Sequence, residues 1–141
     1  AQQALGAKLS GSFKAWLSDS TQGPFDRFSK STVPYVLADG SQIAEDWEAL
    51  RVNGPLAPID MSAAGVRLAD GDETRVWSGT GPDGRNEDFN GASNFCSNWS
   101  RKVIDDFTYV GYLRERVKTE SWTQGAFLSC TGTGLVYCFQ Q

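Results

Sequence analysis

The sequence predicts an α+β domain of short elements, on three observations. Helical spacing is confined to two early stretches, and strand-like alternation recurs in short runs along the rest. Fifteen glycines, with many Asn, Asp, Ser and Thr, supply turns between them. The regular alternation of strand and helix that builds a doubly wound sheet is missing. With 141 residues, 40% of them hydrophobic, the chain is long enough to bury one core. No linker, repeat or low-complexity tract divides it, so a single domain over residues 1–141 is expected.

The elements follow in order. Residues 1–9 carry Ala4, Leu5 and Leu9 at helical spacing, and Gly11 breaks the run. Phe13, Ala15 and Leu17 alternate with Lys14, Trp16 and Ser18, which predicts a strand. Residues 22–28 make a turn-rich excursion around Gly23-Pro24. Residues 33–37 form a second predicted strand, ended by the turn signal Asp39-Gly40. Ile43, Trp47 and Leu50 are helically spaced, so a second short helix is predicted over 43–50. Pro55, Pro58 and nearby glycines make the next stretch loop with short strand pieces. A core strand is predicted over 75–80, then a long turn over 81–91 rich in Asp, Asn and Gly. The remaining strands are predicted at 109–113, 121–127 and 135–139.

Composition narrows the function. Thirteen basic against seventeen acidic residues give a net charge of −4. With no cluster of Lys and Arg to follow a phosphate backbone, nucleic acid is not an expected partner. No apolar run approaches the ~20 residues that span a bilayer as a helix, and Ala1 does not open a signal peptide. The chain is therefore expected to follow a removed leader or to come from a longer protein. Three cysteines without a histidine are too few for a metal-ligand cluster. In a loop-rich domain they suit a disulfide and an oxidising compartment, and the alternative is three buried thiols in a cytosolic protein.

Six segments, in order, resemble a known family. They are Gln2-Gln3-Ala4 leading to Phe13-Lys14-Ala15-Trp16-Leu17-Ser18; Val33-Pro34 with Trp47-Glu48-Ala49-Leu50; Pro55-Leu56; Val76-Trp77-Ser78-Gly79 with Pro82-Asp83-Gly84-Arg85; Ser129-Cys130; and Leu135-Val136-Tyr137-Cys138. Together these resemble the endostatin domain, a relative of the C-type lectin-like fold. Asn98-Trp99-Ser100 and the ending Tyr137-Cys138-Phe139-Gln140-Gln141 are more similar to the endostatin-like domain of bacterial outer-membrane lipoproteins and surface proteins, whose function is uncharacterised. The resemblance implies a C-type lectin-like/endostatin-like arrangement: a mixed, short-stranded sheet with two short helices and long loops. It also implies that Cys96 pairs with Cys130, and that the partner of Cys138 falls just before Ala1. Such a bridge closes about 35 residues and stabilises by roughly 3–4 kcal/mol. Two family properties do not carry over. The zinc site of endostatin needs a histidine cluster, which is lacking here. Its heparin site needs clustered arginines, whereas Arg114-Glu115-Arg116 shows how acids intersperse them in this chain.

The candidate sites are loop carboxylates and aromatics. Asp70 with Asp72 and Glu73, and Asp83 with Asn86 and Asp88, offer hard oxygen ligands of the kind calcium takes. Neither group forms a twelve-residue calcium loop or the sugar-and-calcium motif of C-type lectins, and ordinary turn chemistry is the preferred reading of both. Trp99 and Trp122 lie beside Asn98, Ser100, Thr123 and Gln124, polar groups able to orient a hydroxylated ligand, with Tyr109 and Tyr112 in the same half of the chain. Trp16, Trp47 and Trp77 are expected in the core. Without histidine there is no Ser-His-Asp or Cys-His arrangement, and Asp105-Asp106 or Asp83 with Asp88 is the remaining acid–base possibility. Asn98-Trp99-Ser100 is an N-glycosylation sequon, without consequence in a bacterial protein.

The expected function is non-catalytic recognition or adhesion by a bacterial surface or secreted protein. Its partner would be a glycan or a surface protein, met by Asp83, Asn86, Asp88, Asn90, Trp99, Tyr109, Tyr112 and Trp122. No cofactor is expected beyond a possible calcium ion at Asp70, Asp72, Asp83 and Asp88. The alternatives are a trimeric cap on a fibre or stalk, assembled through an upstream segment, and a carboxylate-pair hydrolase.

Overall fold

A computed structural model describes residues 9–68, 75–88, 95–101, 104–113 and 121–141, and it is α+β. The described elements are β1 (Phe13–Ala15), α1 (Pro24–Arg27), β2 (Tyr35–Val36), β3 (Gln42–Ala44), α2 (Trp47–Asn53), β4 (Arg75–Trp77), α3 (Phe95–Trp99), β5 (Phe107–Tyr112), α4 (Ser121–Gln124), β6 (Ala126–Ser129) and β7 (Cys138–Gln140). Among the described residues there are four short helical segments, of which α2 alone overlaps a helix expected from the sequence. The pairs β1–β7 and β2–β3 and the three-stranded β4–β5–β6 are all antiparallel.

Backbone bonds join these small sheets. Trp16 N donates to Tyr137 O at 2.8 Å, and Ser18 N to Ser78 O at 2.8 Å. Trp77 N donates to Leu135 O at 2.9 Å, and Leu135 N to Arg75 O at 2.8 Å, a parallel bridge. Residues 135–140 thus lie between β1 and β4, and the end of the chain closes the middle of the fold.

Register sorts the β4–β5–β6 side chains, because paired residues share a face. Val76, Gly111, Tyr109 and Phe127 lie on one face, and Arg75, Trp77, Val110 and Tyr112 on the other. The first face meets the core. Here the Trp122 carbonyl sits so close that a Cβ on Gly111 would come within 1.8 Å of it, so only glycine fits. Trp16 is the hub, 0% exposed, with ring centroids at 5.8 Å from Phe28, 5.9 Å from Trp47, 4.8 Å from Trp122 and 5.6 Å from Phe139.

Several elements depart from expectation for local reasons. Ile43 and Ala44 belong to β3, and the helix starts later because Asp46 caps it, its carboxylate accepting from Ala49 N at 2.7 Å. Residues 121–124 form a helical turn, not a strand. Trp122 and Thr123 are both buried, and neighbours about 100° apart on a helix can share a face where neighbours on a strand cannot. Residues 24–27 turn once as a helix, with Pro24 at the first position and Asp26 Oδ2 accepting from Gly23 N at 2.9 Å. The helix expected over residues 1–9 lies outside the described residues, apart from Leu9.

Beneath Trp16 runs a buried polar chain. Trp16 Nε1 donates to Thr123 Oγ1 at 2.9 Å, and Thr123 Oγ1 donates to Thr80 O at 3.0 Å. Thr80 Oγ1 gives its single proton to Ser78 O at 2.7 Å, so Ser18 Oγ must be the donor in its 2.8 Å bond to Thr80 Oγ1. Ser78 Oγ closes the set on Thr123 O.

Thr123→Val keeps the side-chain shape but strands the Trp16 N–H. The urea-unfolding free energy is expected to fall by about 2–4 kcal/mol, against about 1 kcal/mol for Thr123→Ser. Equal losses in the two variants would remove the hydroxyl's role. Burial also raises the phenol pKa of Tyr137 and of Tyr35, two of the four tyrosines. A phenol whose folded pKa lies above its unfolded value keeps its stabilising contribution below about pH 10 and loses it as pH rises beyond. Absorbance titration should show the Tyr35 and Tyr137 phenols ionising late, in step with unfolding above about pH 10.

Candidate functional site

The site grows from α3, whose five residues have φ between 50° and 63°, a left-handed turn of non-glycine residues. Left-handed backbone costs roughly 1–2 kcal/mol per L-residue, so the turn needs anchors. Cys96 is bonded to Cys130 at the end of β6, with a Cα–Cα distance of 5.6 Å, as the resemblance implied. Ser97 Oγ donates to the Asp106 carboxylate. Ser20 N donates to Asn98 Oδ1 at 2.9 Å, and Asn98 Nδ2 donates to Ser20 Oγ at 3.1 Å. Trp99 Nε1 donates to Ser18 O at 2.7 Å. Trp99 therefore rests on the carbonyl of a residue whose hydroxyl belongs to the buried chain.

Trp99 stays half-buried and meets Trp77 edge to face at 6.3 Å. Trp77 was expected in the core. Register instead turns Val76 inward and puts Trp77 beside Arg75 on the opposite face, half-buried like Trp99. Alternation along β4 was the signal that could have found this pair. Glycines 132 and 134 lie against the same side chains. A Cβ on Gly134 would fall 2.7 Å from Trp77 Nε1, and one on Gly132 3.3 Å from Arg75 Nη1.

The other expected site residues are scattered. Trp122 is 2% exposed and packs on Trp16 and Tyr137, so it serves the core and offers no face to a ligand. Tyr109 lies on the core-side face with its ring against Phe127, and Tyr112 on the Trp77 side against Gly125. Asp83 Oδ1 accepts from Arg85 N at 3.0 Å, and its Oδ2 pairs with Arg85 Nη1 at 2.7 Å. The same Arg85 lies 4.0 Å over the Phe25 ring, which docks this turn near α1. Asn86 bridges to Thr80 in the backbone, and Asp88 is exposed. Asn90, Asp70 and Asp72 lie outside the described residues. Among the described residues, no group of three or more His, Cys, Asp or Glu converges as a metal site.

Elsewhere, a hydrogen bond from the Thr21 hydroxyl leads the causes that hold the Asp19 carboxyl below its ordinary pKa. The Ser41 backbone N–H does the same for Asp39. Cys138 is a free thiol on β7, opposite Ala15. Among the described residues no helix is long and apolar enough to cross a membrane. The Cys96–Cys130 bridge points to an oxidising compartment.

Set against known proteins, the chain matches no protein-family model and no curated protein.

Proposed function

We propose that this chain is a non-catalytic recognition module of the endostatin-like, C-type lectin-like kind, in a secreted or surface-exposed protein, and that it binds a glycan. Support for the fold assignment comes from the Cys96–Cys130 bridge and from the β1–β7 pairing, which sets the two ends of the described chain side by side. The observation that carries the function is the Trp77–Trp99 pair. Two indoles at 6.3 Å keep part of their surface in water while a disulfide and the Ser18 carbonyl hold Trp99 still and the β4–β5 pairing holds Trp77. Rigid aromatic surface is the form in which a protein meets the C–H face of a sugar at low entropic cost. Asn98 and Ser100 are exposed beside it, with polar groups to offer hydroxyls.

The test is a glycan array and a panel of matrix proteins, probed with the disulfide-intact chain. Trp99→Ala should lower glycan binding at least about tenfold while the fold persists in near-UV circular dichroism. Trp122→Ala should instead destabilise the domain by about 3–5 kcal/mol, as loss of a core aromatic does. Undiminished binding by Trp99→Ala, or capture of matrix proteins but no glycan, would sink the assignment.

A further inference from the structure

The ligand's chemistry can be taken further, on the footing of that recognition reading. We infer that the Trp77–Trp99 surface is the stacking half of a subsite for an acidic sugar, with Arg75 receiving the carboxylate. Arg75 and Trp77 are two apart on β4 and share a face. Among the described residues Arg75, like Arg27 and Arg101, has no carboxylate partner, whereas Arg51, Arg67 and Arg85 each have one. A half-buried guanidinium without a counter-charge bears a desolvation cost that a bound anion would relieve. Its planar fork matches a carboxylate in two parallel hydrogen bonds.

The surroundings fit a sugar ring. The Trp77 indole N–H has no hydrogen-bond acceptor among the described residues. Glycines 132 and 134 let the backbone of their segment pack closely along Arg75 and Trp77, which fixes one edge of the surface. Thr131 and Thr133 flank those glycines and are exposed, with hydroxyls for a sugar's own. Cation, indole N–H, hydroxyls and an aromatic face are together what a pyranose carrying a carboxylate presents itself to.

Isothermal titration of the disulfide-intact chain tests this with monomeric galacturonate and its methyl ester, and with sialyllactose beside lactose. At least one acid should bind about tenfold or more tightly than its neutral counterpart. Which acid does so separates a uronate from a sialate. Arg75→Gln should erase the preference while the fold persists in near-UV circular dichroism, and Arg75→Lys should keep part of it. Should Arg75→Gln fail to fold, raising the ionic strength with wild-type protein should shrink the acid preference. Neutral and acid sugars binding alike, or a preference that survives Arg75→Gln, overturns the inference and leaves the glycan reading standing. If no sugar of either kind binds, both fall.

Discussion

The indole N–H of Trp16 is the constraint on which the rest of the fold depends. Its ring is wholly buried among four other aromatics, so its one polar atom must find an acceptor inside the protein. That acceptor, Thr123 Oγ1, is itself buried and passes its proton to Thr80 O, and Ser18 and Ser78 complete the set. Thr123, Thr80 and Ser18 each have one hydroxyl proton and one acceptor for it, and Ser78 shares its proton between Thr123 O and Tyr109 O. The three segments it joins are far apart in sequence: residues 16–18, 78–80 and 123. A network of this kind stabilises only when every member is satisfied, and a half-made one costs more than an apolar core. The same bonds that satisfy Trp16 therefore specify how the short sheets meet.

The left-handed turn is held by attachments to that frame. Five residues at roughly 1–2 kcal/mol each is a cost comparable to the roughly 3–4 kcal/mol expected of a bridge closing this loop, with several hydrogen bonds added. The bonds also divide the labour. Cys96–Cys130 ties the turn to the end of β6, Asn98 ties it to Ser20, and Trp99 ties it to Ser18. Ser18 contributes its carbonyl to Trp99 and its hydroxyl to Thr80, so core and platform are joined through one residue.

Much of the framework was legible in the sequence. The α+β class followed from periodicity and turn residues, and alternation at Phe13, Lys14 and Ala15 located β1. Features that depend on which residue caps or covers another were not legible. Ile43 has helical spacing to Trp47 and Leu50, yet Asp46 takes the cap and leaves Ile43 to a strand. Residues 121–127 look like one strand because they mix aromatic, Thr and Ser residues, and only burial of both Trp122 and Thr123 shows the turn. At the site, Trp122 and Trp77 exchanged places. Polar neighbours suggested that Trp122 faces outward, and a matched segment suggested that Trp77 faces inward. The register of β4 against β5 decides where Trp77 faces, and pairing between distant strands is not written in either strand alone. Packing on Trp16 and Tyr137 buries Trp122.

The placement of Arg75 also bears on what kind of anion the surface can select. A net charge of −4 gives the domain a long-range field that repels a highly charged polyanion before contact. Attraction at Arg75 acts over short distances, since salt screens exposed charges beyond about 10 Å. A ligand carrying many negative groups meets the repulsion of the whole and the attraction of one side chain. A ligand carrying a single carboxylate on an otherwise neutral ring meets mainly the latter, together with the aromatic contact that a polyanion's hydrated charges would hinder. The contrast between an acidic surface and one unpaired guanidinium beside two indoles thus favours a sparsely charged sugar and disfavours a sulfated chain.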